Sequence, residues 1–297
     1  LSSVLYSSIP QFDTNSLALR NAYDFSMTLQ WQKAIAALDS AINNETQNST
    51  KGYLLQVKAK FTNFIDQARA QQILLSAKSL NISTISPISG IRYDKAINNN
   101  NQAKAVCDYI AGHGIAQNNY VLHVDAIASS LIFSQDSDGF ENALQSIGQL
   151  IGFVSTRPDK ETCGEGPDNL WATDRNNYFV VECKSAAVSA TISKDYCNQL
   201  GGSMRWFADE YGAAYSAVPI MVHKSTVVDR QATAVPNMRI ITPEKLEDFK
   251  RQIKEFAIAV SQNDNWQDEG KIDGLLTHYK LRSNNIIASF TLPYRDA

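Results

Sequence analysis

Gly166-Pro167-Asp168-Asn169-Leu170-Trp171 and, after six intervening residues, Tyr178-Phe179-Val180-Val181-Glu182-Cys183-Lys184 are the two segments on which the fold turns. Aromatic and β-branched residues run through both, and Asp174-Arg175-Asn176-Asn177 between them has the composition of a turn. Two strands, Asp168 to Thr173 and Tyr178 to Lys184, joined as a hairpin, are therefore expected. A strand alternates faces, so Tyr178, Val180, Glu182 and Lys184 share one side while Cys183 points to the other. One end of that strand is built for burial; its other end presents a carboxylate beside an ammonium. Asp168 stands fourteen positions before Glu182, and a hairpin brings it alongside.

Outward from this pair, short β-type runs alternate with helical stretches from Phe140 onward, which predicts a mixed α/β domain. Ser137 or Asp138 is positioned to cap a helix carrying Phe140, Leu144, Ile147 and Ile151 on one face, and a strand begins at Phe153. A helix follows from Lys194 to Tyr211, then strands at Val218 to His223 and Met238 to Ile241. Thr242 and Pro243 open an amphipathic helix through Leu246, Phe249, Ile253, Phe256 and Val260. On the N-terminal side, Ala103 to Ile110 and Tyr120 to Phe133 read as helices split by Gly112-His113-Gly114. Helical spacing also runs from Ser16 to Asn43, which fits one or two helices, and from Gly52 to Ala77, suggesting a helical hairpin across a polar loop. Pro87, Gly90 and the asparagine run 98–101 mark a boundary. The expected organisation is an α-helical scaffold or docking domain over 1–100 and an α/β domain over 101–297.

The chain of 297 residues carries a formal net charge of -3, so it lacks the global basic excess of many nucleic-acid binders, and any such surface must be local. No run approaches the roughly 18 apolar residues that span a bilayer, and the N-terminus lacks the charged-then-apolar order of a signal peptide. No membrane partner and a cytoplasmic location are the expectations. Cys107, Cys163, Cys183 and Cys197 never fall at zinc-ribbon spacing and are read as reduced thiols. The first residue is Leu1, not Met, from which a fragment or a processed product is expected.

The chemistry points to phosphoryl groups. A water attacking a phosphodiester meets a phosphorus shielded by negative oxygens, and a divalent cation held by carboxylates polarises the phosphoryl oxygen and lowers the pKa of bound water. Mg²⁺ takes oxygen ligands and needs only one or two protein carboxylates, which suits Asp168 and Glu182, with Mn²⁺ as a substitute. Lys184 can orient the water or stabilise charge in the transition state; a base role would require a depressed pKa. Lys194, Arg205 and Lys224 are candidate phosphate contacts, as is His223. Glu165 precedes the strand and is the lesser carboxylate. His113 and His123 have no partners at metal-ligand spacing and read as structural, and Trp171 and Trp206 read as packing residues before stacking ones.

Pro167-Asp168 followed by Glu182-Cys183-Lys184 at the end of an apolar strand resembles the PD-(D/E)XK nuclease signature. The resemblance implies a restriction-endonuclease-like mixed sheet flanked by helices, acidic residues on adjoining strands and another acidic residue on the preceding helix, the position of Glu141. It implies metal ligands Glu141, Asp168, Glu182 and the carbonyl of Cys183, with Lys184 catalytic. Members similar to RecB nucleases carry a glutamine on the next helix, where Gln199 stands and would orient the site. The aromatic expected four residues after it is replaced by Ser203. The string from Phe140 to about Thr242 is also similar to the C-terminal nuclease-like region of some prokaryotic DEAD/DEAH-box helicases. A Mg²⁺-dependent endodeoxyribonuclease working on DNA, with a helicase domain or subunit as partner, is the function so implied. Its rival is a degenerate nuclease-fold module that binds nucleic acid or a helicase without cutting.

Overall fold

The computed structural model describes residues 13–88, 93–99, 101–113, 117–134, 136–161, 166–262 and 265–297. Two compact units emerge: Leu1–Tyr93 with Glu161–Cys163, and Asp94–Lys160 with Gly164–Ala297.

The first unit holds helices α1 (Thr14–Met27), α2 (Trp31–Asn44), α3 (Asn48–Thr62) and α4 (Gln67–Leu80). Ala22, Ala34, Leu38, Leu54 and Phe61 form its core. The single stretch expected over Gly52 to Ala77 is two helices, so the hairpin is in fact two helical pairs. The break has a local cause: Asp66 Oδ1 accepts the Arg69 N–H at 2.9–3.0 Å range typical of a cap, here 3.0 Å, and starts α4 anew. Phe64 and Ile65 continue the apolar rhythm through that break, yet both are exposed.

The second unit is mixed α/β. Helices α5 (Gln102–Gly112), α6 (Gln117–Ser129) and α7 (Ser137–Leu150) precede β1 (Val154–Thr156), the short helix α8 (Pro158–Glu161), β2 (Asn169–Ala172) and β3 (Asn177–Cys183). Then come α9 (Lys194–Tyr211), β4 (Ser216–Val222), β5 (Val227–Val228), β6 (Arg239–Ile241) and α10 (Pro243–Ser261). Helices α11 (Glu269–His278) and α12 (Ser283–Phe290) and strands β7 (Leu292–Pro293) and β8 (Arg295–Asp296) close the chain. Six strands form one sheet in the order β1-β2-β3-β4-β6-β7. The β1, β2 and β3 pairings are antiparallel, β3 with β4 and β4 with β6 are parallel, and β7 returns antiparallel to β6. Strands β5 and β8 pair separately.

The expected hairpin is β2–β3, with Leu170 opposite Val180. Its turn is tied by Asp174 Oδ1, which accepts the N–H groups of Asn176 and Asn177 at 3.0 Å. The alternation read from sequence sorts the faces of β3. Phe179, Val181 and Cys183 enter a core with Phe140, Leu144 and Ile147 of α7 and Leu246, Phe249 and Ile253 of α10. Tyr178, on the opposite face, packs on Phe207 and Tyr211 of α9. Thr242 caps α10 with Pro243 at its start, as the sequence suggests. Residues 94–99 belong to this unit because they are strapped to it: Ala96 N–H donates to Tyr211 Oη and Tyr178 Oη to the Ala96 carbonyl, each at 2.9 Å. Among the described residues no helix is long and apolar enough to cross a membrane.

Candidate metal centre

Strand β3 ends with Glu182 and Cys183, and Lys184 follows as its N–H donates to the Val222 carbonyl of β4 at 2.9 Å. The parallel β3–β4 pairing therefore continues past the strand end and holds the Lys184 backbone. Asp168 lies immediately before β2, and its Oδ2 accepts the Cys183 N–H at 2.7 Å. The hairpin thus brings Asp168 alongside the Glu182–Lys184 segment, as its sequence predicts. Lys184 Nζ stands 2.9 Å from Glu182 Oε2 and 3.6 Å from Asp168 Oδ2, an ammonium between two carboxylates.

Helix α7 delivers Glu141. Asp136, rather than the expected Ser137 or Asp138, caps this helix by accepting the Gly139 N–H at 2.9 Å. Asp138 is thereby left to pair with Arg157. Gly148 lets α7 approach the sheet closely, since a Cβ there would lie 2.7 Å from both Ser155 and Trp171. The fully buried Asn169 donates from Nδ2 to the Glu141 carbonyl at 3.1 Å and ties the start of β2 to the helix. Gly166, at φ 87°, sets the approach to Asp168; a Cβ there would meet Pro158 at 2.9 Å and Trp206 at 3.0 Å.

One ligand atom from each of Glu141, Asp159 and Asp168 lies within 4.8 Å of the others. Asp159, on α8, was not foreseen, and neither was Arg157, which precedes it. Arg157 Nη2 donates to Glu141 Oε2 and lies 3.7 Å from Asp159 Oδ2, while Nη1 contacts Asp138 Oδ1 at 3.1 Å and Asn142 Oδ1 at 2.6 Å. The signal was present: Pro158-Asp159 is a second Pro-Asp dipeptide, nine residues before Pro167-Asp168.

Asp168 joins two carboxylate groups, Glu141–Asp159 on one side and Glu182 on the other, and burial perturbs Glu141, Asp159 and Glu182. Burial pushes the Glu141 carboxyl up to about 8; the Asp168 charge adds to this and Arg157 opposes it. Asp159 rises to about 6, again through burial, with Arg157 opposing. Burial also raises Glu182, with the Asp168 charge, against the pull of Lys184 and Ser203. For Lys184, burial favours the neutral amine, but the charges of Glu182 and Asp168 outweigh it and hold the ammonium above its ordinary range. Cys183 is a thiol made inert by burial. Cys107, Cys183 and Cys197 are free; Cys163 lies outside the described residues.

These residues fit a hard divalent cation. The donors are all oxygens, Asp159 Oδ1 is buried without a hydrogen-bond partner among the described residues, and carboxyls that burial drives toward neutrality are those a cation would return to the ionised form.

Gln199 is exposed on α9, and its side chain makes no hydrogen bond among the described residues. Ser203, one turn further on the same helix face, donates instead to Glu182 Oε1 at 2.6 Å. The residue that departs from the resemblance thus makes the polar contact expected of the glutamine. Tyr196, one turn earlier, holds its ring 5.9 Å from Lys184 Nζ. Lys194 and Arg205 are exposed at the first turn and further along α9. Lys224 follows β4 at the sheet end that bears Lys184, and its Nζ donates to the Val188 carbonyl. His223 is fully buried, which closes off a direct phosphate contact, and Trp171 is a core residue. Tyr109 Oη pairs with His123 at 2.9 Å, in line with a structural role for that histidine. Glu165 lies outside the described residues.

Compared with known proteins, the chain matches no family model, no curated protein and no solved structure.

Proposed function

We propose that the second unit is a metal-dependent nuclease of the PD-(D/E)XK type, on a restriction-endonuclease-like frame, hydrolysing phosphodiester bonds of DNA as part of a helicase–nuclease. The observation that carries this reading is the meeting of Asp168, Glu182 and Lys184 at one sheet end, with Glu141 from the preceding helix beside Asp168. The carboxylates of Glu141, Asp159, Asp168 and Glu182 and the Cys183 carbonyl are the groups available to hold Mg²⁺ or Mn²⁺. When bound, the cation supplies Lewis acidity to a phosphoryl oxygen and acidity to a water.

The chain's own residues do the rest. Lys184 remains a cation at neutral pH, so it acts as a charged donor that orients water and offsets phosphoryl charge, not as a base. Ser203 fixes the Glu182 carboxylate, and Asn169 fixes the distance between α7 and β2. Lys194 and Lys224, at the end of the sheet that bears Lys184, offer charge to the phosphate backbone beyond the scissile group. The rival reading, binding without cutting, draws on one observation: Arg157 and Lys184 already offset much of the carboxylate charge.

The test is cleavage of labelled DNA by the full chain with Mg²⁺ or Mn²⁺ present. Asp168→Ala and Lys184→Ala should each abolish metal-dependent cutting while circular dichroism stays unchanged. Full activity in either folded variant sinks the proposal, and an inactive wild type that still binds DNA and metal favours the rival.

A further inference from the structure

Four carboxylates, Glu141, Asp159, Asp168 and Glu182, meet two cations, Arg157 and Lys184, in a space where every one of these side chains is less than a fifth exposed. With all four carboxylates ionised, the form a bound cation favours, four negative charges against two positive leave two, the charge of one divalent ion. The two cations are not equivalent. Lys184 is a flexible ammonium on a strand end, whereas Arg157 is a planar fork, always charged, wedged between β1 and α8 with its side chain 4% exposed. Its Nη2 lies against one oxygen of Glu141 and nearest Asp159 Oδ2, while Nη1 is anchored by Asp138 and Asn142. Those carboxylate oxygens are the ones a second cation on the Glu141 side would need. What Arg157 leaves over is Asp159 Oδ1, buried and without a hydrogen-bond partner among the described residues, and the Asp168 carboxylate that both halves share.

We infer that Arg157 is a built-in counter-ion of this centre, a positioning residue that holds Glu141 and Asp159 beside Asp168 and limits the centre to one divalent cation. The inference rests on the metal-dependent reading above, and it goes further by fixing how many ions that reading requires. In a two-ion centre a pair of cations clamps both the attacking and the leaving oxygen. Here a fixed guanidinium takes the place of one of them. It cannot be lost to a chelator or to dilution, so together with Lys184 it places half of the offsetting charge before any metal binds.

The test counts ions and does not depend on cleavage. The full chain, stripped with EDTA and dialysed, is titrated with Mn²⁺, and free Mn²⁺ is followed by electron paramagnetic resonance. Wild type should bind one Mn²⁺ per chain, Arg157→Gln two, and Arg157→Lys, which keeps the charge, one. Two ions in wild type, or one in a folded Arg157→Gln chain, overturns the inference and leaves the metal-dependent reading standing. No bound ion in wild type overturns both. If Arg157→Gln does not fold, Arg157→Met, which keeps the side-chain bulk without the charge, is titrated in its place: two ions support the counter-ion role and one refutes it.

Discussion

Glu141 gives the most quantitative handle on the centre. Its carboxyl is pushed up to about 8 from an ordinary 4.5 by burial and the neighbouring Asp168 charge. A folded-state pKa raised above the unfolded one means that the native protein holds a proton which the unfolded chain releases. Stability is then full below pH 4.5, falls as pH rises and levels off above about 8. Each pH unit across that interval is worth ~1.4 kcal/mol, so the loss from this one group between pH 5 and 7 reaches ~2.5 kcal/mol. The pull of the Arg157 guanidinium on the same carboxylate is already contained in that figure. Asp159, raised from 3.8 to about 6, adds a loss of the same sign at lower pH. Urea unfolding of the full chain in EDTA, followed by tryptophan fluorescence, should therefore show falling stability from pH 5 to 8, and Glu141→Gln should flatten that fall. Three of the four tryptophans, Trp171, Trp206 and Trp266, report on the second unit. Mg²⁺ should restore more stability at pH 8 than at pH 5, by ~1.4 kcal/mol for each tenfold excess over its Kd. A wild-type profile that is flat in EDTA, or a Glu141→Gln profile with the wild-type slope, would refute this reasoning.

Ser203→Ala removes the 2.6 Å hydrogen bond to a buried carboxylate. The expected cost is ~1.5–3 kcal/mol in urea unfolding together with weaker Mn²⁺ binding, and a variant unchanged in both would show that Ser203 does not hold Glu182. Lys194→Ala and Lys224→Ala should each lower the slope of log affinity for DNA against log salt by about 1, in filter-binding titrations, without changing Mn²⁺ affinity. Salt slopes equal to wild type would remove these lysines from the DNA surface.

The hairpin and its flanking helices were legible because each rests on a local pattern. The two-residue period of a strand assigned the faces of Tyr178 to Lys184, Asp174 to Asn177 marked the turn, and Thr242-Pro243 marked a helix start. Asp168 and Glu182 followed from that geometry. Arg157 and Asp159 did not, because α8 is four residues long and has no periodicity to read; only the repeated Pro-Asp marked it. Ser203 was passed over because the resemblance led to its neighbour Gln199, although a short hydroxyl on the helix face toward β3 is what reaches a buried carboxylate. The four-helix organisation of the first unit was obscured by Phe64 and Ile65, apolar residues at a turn, where exposure does not follow hydrophobicity. The elements after Ser261 were not read at all, since α11 and α12 are short and β7 and β8 have two residues each.

The central claim is a divalent-cation centre built around Asp168, and crystals of the full chain soaked in Mn²⁺ test it most directly. An anomalous peak within ~2.5 Å of an Asp168 carboxylate oxygen, absent from Asp168→Ala crystals, is the predicted result. A fully soaked crystal with no peak at Asp168, or with Mn²⁺ bound only elsewhere on the chain, would contradict it.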